Sequence, residues 1–365
     1  MEERKMILKM IEDGKITAEE GLKLLEAIEK GTASERADST DLSTDVNWEK
    51  GDDYFKQARQ SKTSTSAANM FTSFIESTIQ KIKDVDLDFN FGTSYDVDHI
   101  FQHRDVTPKH LDVSLENGSL TIKPWDENVV RIECKAKVYR VKDDGEARRF
   151  FMQHALFRAD DDKLVFETKS KAMKVQTTLF VPKAEYARIK LYTFNGQIQG
   201  SNLRVDTFDA NAVNGSLVFD DIEAKKIDAE TINGGIEYEN IRVDLMDVET
   251  MNGSITLSGD IQDVEAETIN GQITYRLGRL KENGYADLKA ATGSIYVYIP
   301  NDIRIEGKLK TNVGGFQLNG NDYDVLEEKR EFVQKSLHFI GNQSSSPRLK
   351  LNALANTGTI HVNDK

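Results

Sequence analysis

The stretch TINGGIEYENI, residues 231–241, decides the fold, because Asn233-Gly234 lies between two runs of alternating apolar and polar residues. Taken alone, this pattern is typical of a β-hairpin in which Asn-Gly forms the reversal. The dipeptide recurs at steps of 19, 19, 19 and 18 residues, beginning at Asn195, Asn214, Asn233, Asn252 and Asn270. Regular recurrence with this period indicates a repeat architecture.

The repeat favours a β-solenoid over a series of hairpins. A hairpin series would need a second, equally regular reversal, and no comparable turn dipeptide recurs between the Asn-Gly pairs. A solenoid needs one corner conformation that is repeated at the same place in each coil. We therefore predict a mainly β fold, a parallel β-solenoid with ~19-residue repeats over residues 85–365, with Asn233-Gly234 as a corner. An antiparallel meander and stacked β-sheets are the alternatives.

The direction of the side chains follows from the segments before each corner. Successive residues of a strand face opposite sides. If Ile232 faced inward, Glu230 would be buried with it, at a cost of several kcal/mol without a partner. We therefore expect the glutamates to face solvent and the alternating threonines and asparagines to face inward. The five asparagines are predicted to stack into an amide ladder at the roughly 4.8 Å spacing of strands.

The same alternation predicts an outward apolar stripe beside the glutamates. Contiguous exposed apolar surface often marks an interface, so these residues form a candidate interaction stripe. Another segment of the chain, such as residues 68–83, is the alternative occupant of this face. The candidate residues are Val213, Ile232, Met251, Ile269, Glu230, Glu249 and Glu267.

Residues 1–31 are predicted to form a helical hairpin. Two apolar stripes at helical spacing flank Gly14, and Thr17 to Glu20 form a capping box that opens the second helix. Some thirty residues are too few to fold alone, so we expect this hairpin to self-associate or to dock, with packing on its own chain as the alternative. Its candidate docking residues are Met6, Ile7, Met10, Ile11, Leu22, Leu25 and Ile28.

Two further segments precede the repeats. Residues 32–67 are rich in Ser, Thr and Asp and are predicted to be a flexible linker. Residues 68–84 are predicted to form an amphipathic helix that covers an open end of the β-structure, with membrane or partner binding as alternatives. The pattern at 143–157 predicts a helical insertion among the strands.

The charge distribution limits the classes of partner. The net charge is −13, and residues 206–275 hold 16 Asp and Glu against Lys225, Lys226 and Arg242. An acidic surface repels phosphate backbones, so nucleic acid is excluded and cationic partners are favoured. The sequence has no long apolar run, and its N-terminus carries acids where a secretory signal would carry bases and an apolar block. We expect a cytoplasmic protein, with peripheral membrane association and non-classical export left open.

The sequence offers no catalytic site. Cys134 is the single cysteine, which excludes an intrachain disulfide and a multi-thiolate metal site, and its alternating context predicts a buried strand thiol. His99 and His103 have metal-helix spacing but lack the glutamate that a metalloprotease needs after the first histidine. Phosphate-cradling loops and nucleophile elbows do not occur. We expect no enzyme activity, no metal and no cofactor.

The repeat T-x-N-G-x-I, with the paired segments LFVPKAEYARIKLYTFNGQI (179–198) and VYIPNDIRIEGKLKTNVGGF (297–316), resembles the bacterial adhesin-like β-strand-repeat family, a domain of unknown function. The opening KMILKMIEDGKITAEEGLKLLEAI (5–28) resembles the helical-hairpin module of its YvlB-like and LiaX-like members. The resemblance covers residues 1–31 and 100–365. It implies a Gram-positive bacterial protein linked to cell-envelope stress, without assigned catalysis.

Together these observations predict a non-enzymatic binding or scaffolding protein that presents a rigid acidic surface to a protein or a cationic peptide. A homo-oligomer formed through the N-terminal hairpin is compatible with this role. Two alternatives remain: a carbohydrate-active or carbohydrate-binding β-solenoid, and a scaffold that polymerises end to end.

Overall fold

The computed structural model describes residues 93–320, 322–331 and 334–365. The predicted hairpin (1–31), linker (32–67) and amphipathic helix (68–84) lie outside the described residues. The described part is mainly β, with 21 strands and one helix. The first elements are β1 (Ser94–Arg104), β2 (His110–Asn117), β3 (Leu120–Trp125), β4 (Val129–Tyr139), α1 (Asp144–His154), β5 (Ala155–Ala159), β6 (Lys163–Thr168), β7 (Met173–Pro182) and β8 (Glu185–Asn195).

The later strands include the four longest. These are β9 (Ile198–Asn214), β10 (Leu217–Asn233), β11 (Ile236–Asn252) and β12 (Ile255–Asn270). The remaining strands are β13 (Ile273–Leu277), β14 (Gly284–Thr292), β15 (Ile295–Ile299), β16 (Arg304–Val313), β17 (Phe316–Asn319), β18 (Tyr323–Arg330), β19 (Lys335–Gly341), β20 (Arg348–Thr357) and β21 (Ile360–Asp364).

The long strands pair parallel and in register. Asn233 at the end of β10 lies beside Asn214 of β9 on one side and Asn252 of β11 on the other. Asn252 in turn lies beside Asn270 of β12. Because the neighbouring strands run in the same direction, Asn233-Gly234 is a corner and not a hairpin reversal.

A second line of corners divides each long strand, and sequence reasoning missed it. Asn202, Asp221 and Asn240 have φ angles of 59°, 51° and 54°, and Gly259 has a φ of 150°. These positions follow one another at steps of 19 residues. Asn and Asp tolerate the left-handed region better than other non-glycine residues. A single Asn or Asp is too common in this acidic region to stand out as a turn signal.

The second corner divides each long strand into two segments, and the core lies between these two segments. Columns of apolar side chains run from strand to strand in register, such as Leu217, Ile236 and Ile255. The rings of Phe219 and Tyr238 pack with centroids 4.9 Å apart and an angle of 31° between their planes. The apolar residues that follow each corner at alternate positions are all buried, namely Leu217, Phe219, Ile236, Tyr238, Ile255, Leu257, Ile273 and Tyr275.

The order of the strands departs from simple succession at both ends. The last two strands, β20 and β21, lie between the β14–β15 layer and the β16–β17 layer. Near the other end, β2 lies between β6 and β8, and β3 lies between β7 and β9. Consecutive winding of the whole chain, which the period alone suggests, is therefore wrong in these two places.

The end layers also contain antiparallel pairs. β4 pairs antiparallel with β1 and with β7, and β19 pairs antiparallel with β16 and with β18. The helix α1 begins after Asp143, whose side chain accepts a hydrogen bond from the backbone N–H of Glu146, and it buries Ala147 and Phe151. Within the part of the chain that the structure describes, no helix combines the length and the apolar content that crossing a bilayer requires.

Candidate binding surface

The asparagines of the corners form a hydrogen-bonded column. The Nδ2 of Asn233 donates to Oδ1 of Asn214 at 2.8 Å, and the Nδ2 of Asn252 donates to Oδ1 of Asn233 at 2.9 Å. The column continues to Asn195 and to Asn270 at 2.8 and 2.7 Å. We expected these side chains to face inward, but Asn214 and Asn233 are exposed and the other three are half-buried. The ladder therefore runs along the corner and not through the core.

The outer face before this corner carries two adjacent columns of carboxyl groups. Asp228, Asp247 and Glu265 are in register, and Glu230, Glu249 and Glu267 are in register two residues further along. We call these six residues the carboxyl cluster. Strand spacing places neighbouring members of a column about 4.8 Å apart. Asp228 pairs with Lys226 at 3.2 Å.

The prediction that these glutamates are solvated is wrong for two of them. Glu230 is 8% exposed and Glu249 is 6% exposed, whereas Glu267 is exposed. The alternation of side chains along each strand does place all three glutamates on the outer side, because they alternate with the buried Thr231, Thr250 and Thr268. An outward direction shows only that a side chain leaves the core, and it does not show what lies against the outer face.

Burial and the charges of neighbouring acids raise the pKa values of the cluster members Glu249, Glu230 and Asp247. Burial raises the pKa of Glu249 to about 10, and the charges of Asp247, Glu267 and Glu230 add to the shift. Burial, followed by the charges of Asp228 and Asp247, raises the pKa of Glu230 to about 8. Burial and the charge of Asp228 raise the pKa of Asp247 to about 7. The protonated forms of Glu249 and Glu230 are therefore favoured at neutral pH.

The predicted apolar stripe is less exposed than expected. Val213 and Met251 are buried, and Ile232 and Ile269 are half-buried. These residues immediately precede the stacked asparagines and lie on the same outer side as the carboxyl cluster. The stripe therefore lies on the outer side as predicted but is partly buried, and the stripe and the cluster form one partly buried outer face.

A second group of acids lies on the other outer face of the repeats and is exposed. Asp220, Glu237 and Glu239 flank the buried Phe219 and Tyr238 and are all exposed, and Asp221 is exposed at the second corner. Asp220 and Glu239 are register partners, and Asp220 also accepts a hydrogen bond from Nδ2 of Asn240 at 2.7 Å. We call Asp220, Asp221, Glu237 and Glu239 the acidic patch.

The rest of the described surface offers little chemistry. A groove of about 370 Å³ beside the second corner is lined by residues of both charges. In it, Oε2 of Glu223 lies 3.7 Å from Nε of Arg204 and 3.6 Å from Nη1 of Arg242. Cys134 is buried, and burial raises the pKa of its thiol to about 12. Among the described residues, no group of three or more His, Cys, Asp or Glu side chains is arranged to hold a metal ion.

Comparison with known proteins places this architecture in a family. The model of the Toastrack DUF4097 family matches residues 109–363, which cover most of the described strands. The chain belongs to the Toastrack DUF4097 family. The resemblance to an adhesin-like family of unknown function, read from the Asn-Gly repeat, is thereby confirmed. Residues 2–33 match the model of the SHOCT-like domain, and the predicted docking residues from Met6 to Ile28 lie in this segment, outside the described residues.

A full-length relative and several solved structures are similar to this Toastrack chain. The uncharacterized protein YvlB of Bacillus subtilis (strain 168) is 38% identical over 362 residues, which cover 99% of this chain and 98% of YvlB. A crystal structure of a candidate adhesin from Bacteroides fragilis NCTC 9343 is 11% identical, with a TM-score of 0.42, over 73% of this chain and 97% of that one. A candidate lipid-binding protein from Parabacteroides distasonis ATCC 8503 is 9% identical, with a TM-score of 0.36, over 72% and 96% of the two chains.

Proposed function

We propose that this protein is a non-enzymatic binding or scaffolding protein that uses the acidic patch to hold a cationic protein segment or peptide. The observation that carries the proposal is the uneven charge of residues 206–275, with 16 acids against three bases. The carboxylates of the acidic patch are all exposed, whereas in the carboxyl cluster Glu230 and Glu249 are buried. The acidic patch is therefore the more accessible of these two groups of acids.

The fold makes the acidic patch a rigid binding surface. We propose that the repeats wind as a β-solenoid, and the parallel, in-register pairing of β9 to β12 supports this. Register between β10 and β11 fixes the relative positions of Asp220 and Glu239. Preorganised charges lose little conformational entropy on binding. The N-terminal hairpin would add assembly or regulation to this rigid surface.

A binding titration tests this proposal. The probe is a lysine-rich amphipathic peptide, measured by calorimetry against the full chain at several salt concentrations. We expect binding that weakens steeply as salt rises above about 0.1 M, because exposed charges are screened over about 10 Å at that ionic strength. The variant D220N/E237Q/E239Q should weaken binding about ten-fold, which corresponds to about 1.4 kcal/mol.

A charge-matched variant separates a local surface from net charge. D98N/E127Q/D161N removes three exposed acids outside the long repeat strands. This control should bind the peptide nearly as well as the unaltered protein. Equal weakening by both triple variants, or binding that does not respond to salt, would contradict the proposal.

We also propose a cytoplasmic location and a role in cell-envelope stress, following the resemblance. Fractionation of cells under envelope stress, followed by detection of the full chain, tests both statements. Recovery in the cytoplasmic fraction, with partial transfer to membranes under stress, is the expected result. Recovery from the culture medium would contradict it.

A carbohydrate-binding role is the second candidate, and an aromatic patch favours it. The rings of Tyr296 and His361 stack on neighbouring strands with centroids 4.5 Å apart and an angle of 8° between their planes. Arg276 lies 5.3 Å from the ring centroid of Tyr298 on the same side of that layer. Flat aromatic surfaces suit sugar rings. Binding of an oligosaccharide panel that is lost in Tyr296→Ala and kept in D220N/E237Q/E239Q would favour this role.

End-to-end polymerisation is the third candidate, and the edge strand β18 argues against it. β18 carries Glu327, Glu328, Lys329 and Arg330, all exposed. Charged side chains on an edge strand oppose pairing with another edge. Light scattering that stays constant over a wide range of protein concentration is the expected result.

A further inference from the structure

The outer face that holds the carboxyl cluster is more buried than its described neighbours explain. Val213 and Met251 are 2% and 8% exposed, although they precede the corner asparagines on the outer side. The described elements in extensive contact with β11 are its sheet neighbours, β10 and β12. Residues on the uncovered face of a sheet remain partly solvated. Exposed fractions this low therefore call for a further segment against this face.

Glu249 provides an independent sign of a missing contact. Its side chain is more than nine-tenths buried, and its Oε2 has no hydrogen-bond partner. A buried carboxyl oxygen without a partner costs free energy unless a donor or a cation meets it. Its neighbours Glu230 and Asp247 are acids and supply no cation. The face therefore suits an occupant that has apolar side chains together with hydrogen-bond donors.

Residues 68–83 of this chain have that composition. The sequence ANMFTSFIESTIQKIK predicts a helix with one apolar face, and Lys81 and Lys83 lie at its end. Nine residues, 84–92, separate it from the first described residue. A linker of that length spans on the order of 30 Å when extended. The apolar residues of the segment are Met70, Phe71, Phe74, Ile75, Ile79 and Ile82.

We propose that residues 68–83 dock as an amphipathic helix on the outer face of β9 to β12, with the apolar side on Val213 and Met251 and with polar side chains of the segment as hydrogen-bond donors to Glu249. This contact is intramolecular and lies on the opposite face from the acidic patch. It therefore stands independently of the proposed partner. It also assigns the amphipathic segment to the face of the repeats and not to an open end.

Cysteine labelling in the full chain tests the docking. Met251→Cys places a thiol on the covered face, and Glu237→Cys places a matched thiol in the exposed acidic patch. The native Cys134 is buried and does not compete for reagent. We expect a maleimide to label Met251→Cys at least about ten-fold more slowly than Glu237→Cys, which corresponds to about 1.4 kcal/mol of protection.

Substitutions in residues 68–83 test whether this segment is what covers the outer face. Adding I75D/I79D should raise the labelling rate of Met251→Cys towards that of Glu237→Cys, and it should leave the rate of Glu237→Cys unchanged. Ile269→Cys serves as a second probe of the same face if Met251→Cys folds poorly. Equal rates without I75D/I79D would overturn the proposal. So would protection that survives I75D/I79D, or protection that rises with protein concentration, which would indicate a second copy as the occupant.

Discussion

The hydroxyl of Thr250 donates a hydrogen bond of 2.9 Å to the carbonyl oxygen of Gly234, which lies at the corner of the preceding repeat. Thr231 and Thr268 make the same bond to Gly215 and Gly253, also at 2.9 Å. The threonine of the T-x-N-G motif therefore satisfies a corner carbonyl that the turn takes out of the strand ladder. Together with the asparagine column, it joins each corner to the preceding one.

Replacement of Thr250 by valine should destabilise the protein. The change keeps the side-chain shape but leaves the carbonyl of Gly234 without this donor, so we expect a loss of about 1–3 kcal/mol of unfolding free energy. Urea unfolding of the full chain measures it. Thr256→Val alters a half-buried outward threonine of β12 and should change stability by less than about 0.5 kcal/mol. Equal effects of the two substitutions would contradict the role of Thr250.

The corner glycine Gly234 should not tolerate alanine. A Cβ at this position would overlap the carbonyl of Gly215 in the preceding corner, so the corners would have to move apart. We expect Gly234→Ala to cost at least about 3 kcal/mol or to prevent folding. At Gly315 a Cβ would meet nothing within 4 Å. As the control, Gly315→Ala should unfold on heating at nearly the same temperature as the unaltered protein. A comparable loss of stability in both variants would argue that close packing of the corners does not limit the residue at Gly234.

Stability should fall as pH rises from about 5 towards 8. The pKa of Glu249 is raised from near 4.5 to about 10 and that of Glu230 to about 8. The folded state therefore holds protons that the unfolded chain releases above its ordinary pKa, and unfolding becomes easier as pH rises. Each such group contributes a slope of up to about 1.4 kcal/mol per pH unit.

Neutral glutamine at the buried position should remove part of that slope. Glu249→Gln is expected to flatten the dependence of unfolding free energy on pH and to be the more stable protein at pH 8. Glu237→Gln, which changes an exposed carboxylate, should leave the slope as it is. Urea titrations at a series of pH values make the comparison, and parallel curves for all three proteins would refute the coupling of Glu249 to folding.

Two buried tyrosines should respond oppositely to loss of their hydroxyls. The hydroxyl of Tyr238 is buried without a hydrogen-bond partner, whereas the hydroxyl of Tyr186 donates to the carbonyl of Pro182. Tyr238→Phe should therefore be neutral or stabilising, by up to about 1–2 kcal/mol, because it removes an unsatisfied polar group. Tyr186→Phe should cost about 1 kcal/mol. Denaturant midpoints measure both, and a larger loss at Tyr238 than at Tyr186 would contradict the assignment.

The features that follow from the 19-residue repeat could be predicted from the sequence, whereas the second corner, the place of β20 and the burial of Glu249 could not. A period of 19 residues places Asn233 beside Asn214 and Asn252, and alternation separates the buried Thr231 from the outward Glu230. The second corner at Asp221 was missed because one residue in the left-handed region leaves no dipeptide pattern. The position of β20 between β14 and β16 was missed because the period of a repeat shows which residues occupy equivalent positions, and it does not show which strands pair with one another. The burial of Glu249 depends on what covers the outer face, which alternation within a strand does not describe.

The placement of β20 and β21 between two earlier layers has a consequence for biosynthesis. Residues 348–364 leave the ribosome after all of the strands that they join, yet they supply the parallel partner that β16 and β17 share with β14 and β15. Until these residues are translated, the layers on either side have no common neighbour. A product that stops before residue 348 therefore lacks an internal layer of the fold.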